Sequence, residues 1–324
     1  MRRKLRRETS NIRMTSVALR SPAALFTVAT LIWGSTWLGI KFQLGVVPAD
    51  VSVAYRFAIA ALLLAAWCAS TRRPLRFSAH VHAFIALQGV LLCGLNYVTV
   101  YWAEQYATSG LVAVLFSTIV FMTPLGARLA FGTPLTKRML VAASLGVLGV
   151  ALLFLPELAR ARDGGDAALG IVLGLVSTAI ASAGNLAATR NHDAGIPVLP
   201  GAAWAMGYGA LTAAIVALVT GARWTFDFRV PYVASLLYLA VFGTVVAFGA
   251  YLTLIARMGP GRASYVSIAT PVVAMALSTL FEDYRWTPLA AFGVVLAVVG
   301  NWLALAPRKS GSEQQVARTV GGST

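Results

Sequence analysis

The feature that most constrains this chain is a pattern of long apolar runs that occurs twice. Between Arg257 and Leu305 an apolar run with a central proline (263–281) leads to a five-residue polar break (Glu282–Trp286) and a second apolar run (287–306). Shifted back by 151 residues, the pattern lies over Tyr106–Phe154 without a gap. Gly110 then meets Gly261, Leu129 meets Leu280, Thr136 meets Thr287 and Leu145 meets Leu296. Val147, Gly149 and Leu152 fall on Val298, Gly300 and Leu303. A period this long is not that of a solenoid. It marks a duplicated membrane domain.

A bilayer core takes ~20 apolar residues per helix. Runs of that kind occupy 23–40, 51–69, 83–102, 108–131, 139–155, 168–188, 201–220, 231–256, 263–281 and 287–306, ten in all. Only 11% of residues are charged, against about 25% in soluble chains, and mean hydropathy is +0.76. Little chain is left for a soluble catalytic domain. The expected fold class is an all-α polytopic membrane protein of ten transmembrane helices. Five per half is odd, so the second half enters the bilayer from the opposite side. The expectation is two inverted five-helix repeats, the plan of many secondary transporters, with a substrate site near the midplane between them. The boundaries are a basic tail over 1–22, a first repeat over 23–155, a hydrophilic linker over 156–167, a second repeat over 168–306 and a tail over 307–324.

The net charge of +15 raises the question of nucleic acid, and its placement answers it. The two tails and every second loop hold 19 Lys/Arg and 3 acids, whereas the opposite loops hold 6 and 8, with Arg56 left over. By the positive-inside rule both termini are expected in the cytoplasm, of a bacterial inner (plasma) membrane. The basicity is topology, not nucleic-acid binding. The Arg-rich start followed by an apolar run reads as an uncleaved first span, not a signal peptide, and Met14 is an alternative start to Met1. The first 20 residues read as a basic tail near anionic headgroups. Cys68 and Cys93 fall inside spans as small apolar fillers. The three histidines have no ligand spacing, so neither metal nor cofactor is expected.

The polar residues inside the spans are the candidates for function. In the first span Trp33 and Trp37 share a helix face, as do Ser35 and Gly39, and Thr36 sits among them. They read either as a packing seam or as the aromatic, polar wall of a cavity. Arg56 lies one to two turns into the second span, where an unpaired charge is costly. Either it snorkels to the headgroups, or it lines the cavity, paired with Glu104 or meeting an anionic substrate group. Lys41 is placed to share that role. Span three carries Asn96 and Tyr97, with Tyr101 one turn on. Span four carries Ser117 and Thr118, then Pro124. Asn185 interrupts span six, Thr244 and Tyr251 mark span eight, and Tyr265, Ser267, Thr270 and Pro271 mark span nine. Singly, each reads as an interhelical hydrogen bond, and the prolines as kinks. Their concentration in spans one, three, four, six, eight and nine favours a substrate-binding cavity. Spans five and ten carry small residues at matched positions, Ala142 and Gly146 against Gly293 and Ala297. They read as a packing seam, for scaffold or for contact between two copies in a homo-dimer.

Trp33-Gly34-Ser35-Thr36, Arg56-Phe57, and a second repeat ending in a mid-span proline, an acid and a Gly-spaced last span resemble the EamA family of the drug/metabolite transporter superfamily. The resemblance covers roughly 24–306, one unit per half. It implies ten helices, a central cavity lined mainly by spans one, three, four, six, eight and nine, and export of small metabolites such as amino acids. Two features depart from it. The family's Gly-Glu after spans four and nine is Phe131-Gly132-Thr133 in the first copy, without the acid, and Phe281-Glu282-Asp283 in the second. Pro124 stands four residues beyond the position equivalent to Pro271.

The function expected is secondary transport of a small-molecule substrate by alternating access, with the bilayer as the other partner. The runner-up readings are an importer of a sugar or nucleotide-sugar type of solute, and a non-transporting scaffold or sensor. A channel would show flux that does not saturate. A membrane transferase would need clustered His, Asp or Glu, and none occurs. Glu104 and Glu282 sit at span ends, which argues against a carboxylate-coupled proton antiport.

Overall fold

A backbone crossing hydrocarbon has no water to bond, so its N–H and C=O groups must be satisfied within the segment. Each apolar run has accordingly become a helix. The computed structural model describes residues 21–132, 134–160, 166–258 and 266–305. Among these there is no strand, and ten helical stretches follow one another. They are α1 (Pro22–Lys41), α2 (Ala49–Ser70), α3 (Ala79–Ala103), α4 (Ser109–Ser117 and Ile119–Phe131), α5 (Lys137–Arg160) and α6 (Asp166–Asp193). The series continues with α7 (Val198–Val219), α8 (Val230–Leu237, Tyr238–Val246 and Ala247–Met258 end to end), α9 (Val266–Phe281) and α10 (Pro288–Leu305). By length and hydropathy α1–α4 and α6–α8 are each sufficient to cross a bilayer, and α9 and α10 are shorter apolar helices.

Local chemistry sets the ends. Ser21 Oγ accepts from Ala24 N at 3.1 Å ahead of Pro22 at the first helical position, a combination suited to starting a helix. After α2 and α7 the chain turns through left-handed residues, Arg72 (φ 54°) and Gly221 (φ 69°). Arg73 N bonds Cys68 O and Ala222 N bonds Ala217 O, each at 2.8 Å, so both helices close with the same wrapped-back C-terminal motif. Gly132 (φ 69°) and Asp283 (φ 53°) end α4 and α9 at positions 151 apart. Asp is one of the few side chains that tolerates this conformation.

The two halves match helix by helix. A shift of 149 carries Ala49–Ser70 onto Val198–Val219. A shift of 151 carries the π-helical turn Gly89–Leu95 of α3 onto 240–246, within the π-helical stretch Tyr238–Val246 of α8. The packing repeats too. α5 lies on α10, α2 on α7 and α4 on α9, each pair mapping onto itself when the halves are exchanged. The α1–α9 contact maps onto α6–α4, and α8–α1 onto α3–α6. With five helices per half, this is the inverted pseudo-two-fold arrangement expected from the sequence.

α5 and α10 pack along a seam of small residues. A Cβ on Gly149 would lie 2.5 Å from Ala297 N, and one on Gly300 would lie 2.8 Å from Gly146 N. These two contacts are the same contact under the repeat. The small residues of both helices therefore face each other within one chain, so contact between copies would have to use the outward faces. Those carry exposed Val147, Phe292, Val295 and Trp302, a surface matched to lipid.

The structure adds two local details to the sequence reading. The linker expected over 156–167 is helical as far as Arg160 and again from Asp166, because Glu157, Leu158, Ala159 and Arg160 are strong helix formers. In span four the break falls at Thr118, six residues before Pro124. There Ser117 Oγ and Thr118 Oγ1 each take a carbonyl of the preceding turn at 2.7 Å, Val114 O and Leu115 O. Pro271, by contrast, sits inside a continuous α9.

Gly149→Ala should cost roughly 1–3 kcal/mol by overpacking this seam, read as a lower melting temperature of the detergent-purified protein. Gly207→Ala, whose nearest neighbour would be 4.0 Å away, should be neutral or slightly stabilising, by up to ~1 kcal/mol of helix preference. Equal melting temperatures for the two variants would show that the seam is not close-packed at Gly149.

Candidate functional site

The first polar seam joins the halves through α1 and α8. A π-helical turn misaligns the local hydrogen-bond ladder, and in α8 this frees Gly243 O, which accepts from Trp33 Nε1 at 3.2 Å. Thr244 Oγ1 donates to Leu239 O, five residues back, at 2.9 Å. The Trp33 ring also meets Phe248 and Tyr251, with centroids 5.4 and 5.0 Å apart. Gly243 lets the helices close: a Cβ there would come within 2.7 Å of Thr36 Cγ2 and 3.6 Å of Arg56 Nη2. Trp33, Thr36, Thr244 and Tyr251 thus share one seam, with Tyr238 bonded to Ser35 at 2.6 Å beside them.

Arg56 occupies the second position of interest. It does not snorkel: it is 1% exposed. Its guanidinium stands 4.7 Å from the Tyr97 ring centroid and 5.4 Å from that of Phe57, and Nη1 donates to Tyr101 Oη at 3.5 Å. Tyr101 in turn donates to Gln43 Oε1 at 2.6 Å. Among the described residues no carboxylate pairs with Arg56, and neither its Nε nor Gln43 Nε2 has a hydrogen-bond partner. The expected pairing with Glu104 is not formed. Beyond this cage, Trp37 lies against Phe116 at 5.4 Å, tying α1 to α4.

Lys41 and Glu104 belong to a third cluster, at the ends of α1, α3, α4 and α9. The charge tally leads one to expect this face on the outside, and the label outer face follows that expectation. Lys41 Nζ donates to the main-chain oxygens of Glu104 (2.5 Å) and Ala107 (2.9 Å) and stands 3.7 Å from Glu282 Oε1. Glu282 accepts from Ser109 N at 3.1 Å and from the hydroxyls of Ser109 and Ser278 at 2.5 Å each. A carboxylate from the second half therefore caps the first turn of α4, where the helix dipole favours negative charge. The Glu104 side chain is 0% exposed. Its place at a helix end did not leave it in water, because the α3–α4 turn folds beneath the ends of α1 and α9. At the opposite face, Asn191 Nδ2 donates to Gln88 Oε1 at 2.9 Å and Phe84 O at 3.1 Å, and Tyr208 Oη bonds His82 Nδ1 at 3.0 Å.

The remaining candidates stand apart. Asn96 is buried, donates to Leu92 O at 3.2 Å and leaves Oδ1 without a partner. Ser117 and Thr118 spend their hydroxyls on their own helix, and Thr118 lines an apolar cavity of about 590 Å³ between α4, α5, α6 and α10. Asn185, Ser267 and Thr270 are half-buried and Pro271 is buried, with Thr270 bonded to Val266 O at 2.8 Å. Tyr265 lies outside the described residues. No hydrogen bond or ring contact among the described residues joins Ser117, Thr118 or Asn185 to the Arg56 cage. Gln43 and the Ser109–Glu282 cap were not read from the sequence. Gln43 looks like any loop residue, and the cap joins positions 173 apart.

The EamA-like transporter family matches residues 20–155 and again 168–306. An Escherichia coli K12 protein named "Uncharacterized inner membrane transporter YedA" is 29% identical over 86% of this chain and 91% of its own length. A second E. coli K12 protein, named "Probable amino-acid metabolite efflux pump", is 24% identical over 88% and 94%. One solved crystal structure superposes with a TM-score of 0.62 over 90% of this chain and 99% of the other at 17% identity, which establishes a shared fold.

Glu282→Gln should weaken the outer cluster by roughly 1–2 kcal/mol, the scale of a lost N-terminal cap and its charge. The measurement is thermal unfolding together with amide hydrogen exchange at Ser109. Unchanged protection of that amide would show that the carboxylate does not hold α4.

Proposed function

The chain belongs to the EamA-like transporter family, and from that premise we propose that it exports small carboxylate-bearing metabolites, amino acids first among them, across the bacterial inner membrane. It is a membrane transporter whose two halves rock about the seam that joins them, exposing the Arg56 region to one compartment at a time. The name of the efflux-pump relative supports the substrate class, and that of the YedA relative supports the membrane.

The observation that carries the substrate class is the state of Arg56. Burying a guanidinium without a counter-charge is costly, and rings and a tyrosine hydroxyl offset only part of that, at about 0.5–2 kcal/mol for each cation–π contact. What is missing is an anion, and a carboxylate accepts two parallel N–H bonds from a guanidinium. Its free Nε, with Gln43 Nε2 beside the Tyr101 bridge, supplies unspent donors. Trp37, Tyr97 and Phe116 give apolar surface next to it, the usual composition of a small-molecule pocket. Gly243 brings α8 of the second half against the same guanidinium, so a substrate held there would touch both halves. That contact is what alternating access needs.

The test is counterflow of a labelled amino-acid panel in proteoliposomes. Arg56→Leu should lose about 10- to 100-fold in apparent affinity for carboxylate solutes, the equivalent of 1.5–3 kcal/mol for a hydrogen bond to a charged group. The variant should still insert and run as wild type in gel filtration. Wild-type transport by this variant, or flux that does not saturate, would defeat the reading.

A further inference from the structure

The outer cluster holds a group that the transport reading leaves unused. Both carboxyl oxygens of Glu104 are buried, and neither has a hydrogen-bond partner among the described residues. Four elements close around it. α1 brings Lys41, α2 brings Arg56, α3 itself brings Tyr101, and the end of α9 brings Glu282. α6 meets the turn through Gly170, set against Tyr106 and Ala107. The nearest ammonium is engaged elsewhere, since Lys41 Nζ is spent on two main-chain oxygens and on Glu282. Arg56 is turned to Tyr101. A carboxylate sealed without donors would bear its full desolvation cost, whereas a neutral carboxyl would not.

We propose that Glu104 is a proton-binding site of the outer gate, its carboxyl carrying a proton while Lys41 ties α1 to the α3–α4 turn. When that tie opens, the O–H bond breaks, the electron pair stays on oxygen, and the proton passes to outer water. The Lys41 ammonium, released from its two carbonyls, then faces the new carboxylate. Closing the gate reverses the step and takes one proton from the outer side. Burial pushes the Glu104 carboxyl well above the ordinary glutamate range, with Lys41 drawing it down and Glu282 up, in keeping with this geometry. The inference also changes what the sequence implied about protons. Glu104 sits at the end of its span yet is withdrawn from water, as proton-carrying carboxyls in transporters are.

Two measurements on the full chain test it. Difference infrared spectroscopy of the purified protein should show the carbonyl stretch of a protonated carboxylic acid at neutral pH, lost on alkalinisation and absent from Glu104→Gln. Its absence from the wild type, or its persistence in Glu104→Gln, overturns the site. Stability gives the sign independently. A carboxyl whose folded value is raised binds its proton more tightly when folded, so stability falls as pH rises from the ordinary glutamate range through the raised value. Glu104→Gln should remove that part of the fall, and an unchanged profile counts against the site.

The gate is read from a Leu111→Cys reporter, Leu111 being buried in the first turn of α4, in a Cys68→Ala, Cys93→Ala background, labelled by a membrane-impermeant maleimide and normalised to a Phe42→Cys control at the exposed end of α1. Normalised labelling should rise with outer pH, and the rise should vanish in Glu104→Gln. The same rise in both backgrounds overturns the gate. This arm rests on the alternating-access reading and the infrared arm does not, so the two fail separately.

Discussion

The loss of water as a hydrogen-bonding partner governs everything else in this molecule. It forces each apolar run into a helix, and it favours, for hydroxyls within those runs, a bond to the turn behind them. Thr36, Thr99, Ser177, Thr178 and Thr270 all do so. Once these local debts are settled, the polar groups still seeking partners are few: Arg56 Nε, Gln43 Nε2, Asn96 Oδ1 and the Glu104 carboxyl among them. Among the described residues, Arg56 Nε, Gln43 Nε2 and the Glu104 carboxyl belong to the Arg56 cage and the outer cluster, whereas Asn96 Oδ1, Thr30 Oγ1 and Asn301 Oδ1 stand apart. In a bilayer, unmet hydrogen bonding of this kind is costly, and the proposed solute and proton sites rest on it.

The frame is symmetric and the chemistry is not. Helix ends, π-helical turns and the α5–α10 seam repeat between the halves, because backbone geometry and small-residue packing survive extensive change of side chain. The functional groups do not repeat. Arg56 corresponds to Ala205 at the shift that relates α2 to α7, Glu282 corresponds to Phe131, and Lys41 to His192. Duplication supplies the two bundles that rock in the proposed mechanism. The charges that do not repeat are what would let a proton or a carboxylate bias that motion.

The seam between the halves shows how the two kinds of constraint meet. The π-helical stretch of α8 gives up regular bonding at Gly243, and that loss lets Trp33 cross from the other half to take the carbonyl. The same glycine lets Thr36 and Arg56 approach. An irregular backbone inside a membrane is tolerable only where protein or a cavity satisfies it. Here it also marks where α1 and α8 would part in the proposed alternating-access cycle.

The sequence by itself determined the helix count, the duplication, the inverted relation of the halves and the small-residue faces of α5 and α10. These follow from run length, parity and periodicity, all of which are local. It also picked out Arg56, Trp33, Thr36 and Tyr97 as costly or unusual in lipid. Only the tertiary structure decided which of them meet. It turned Arg56 away from both headgroups and Glu104, drew Gln43 from a loop into the same network, and spent Ser117 and Thr118 on their own helix. It made Glu282 the cap of α4, 173 residues away. Those outcomes depend on which helix end folds beneath which. Spacing along a chain carries no record of that.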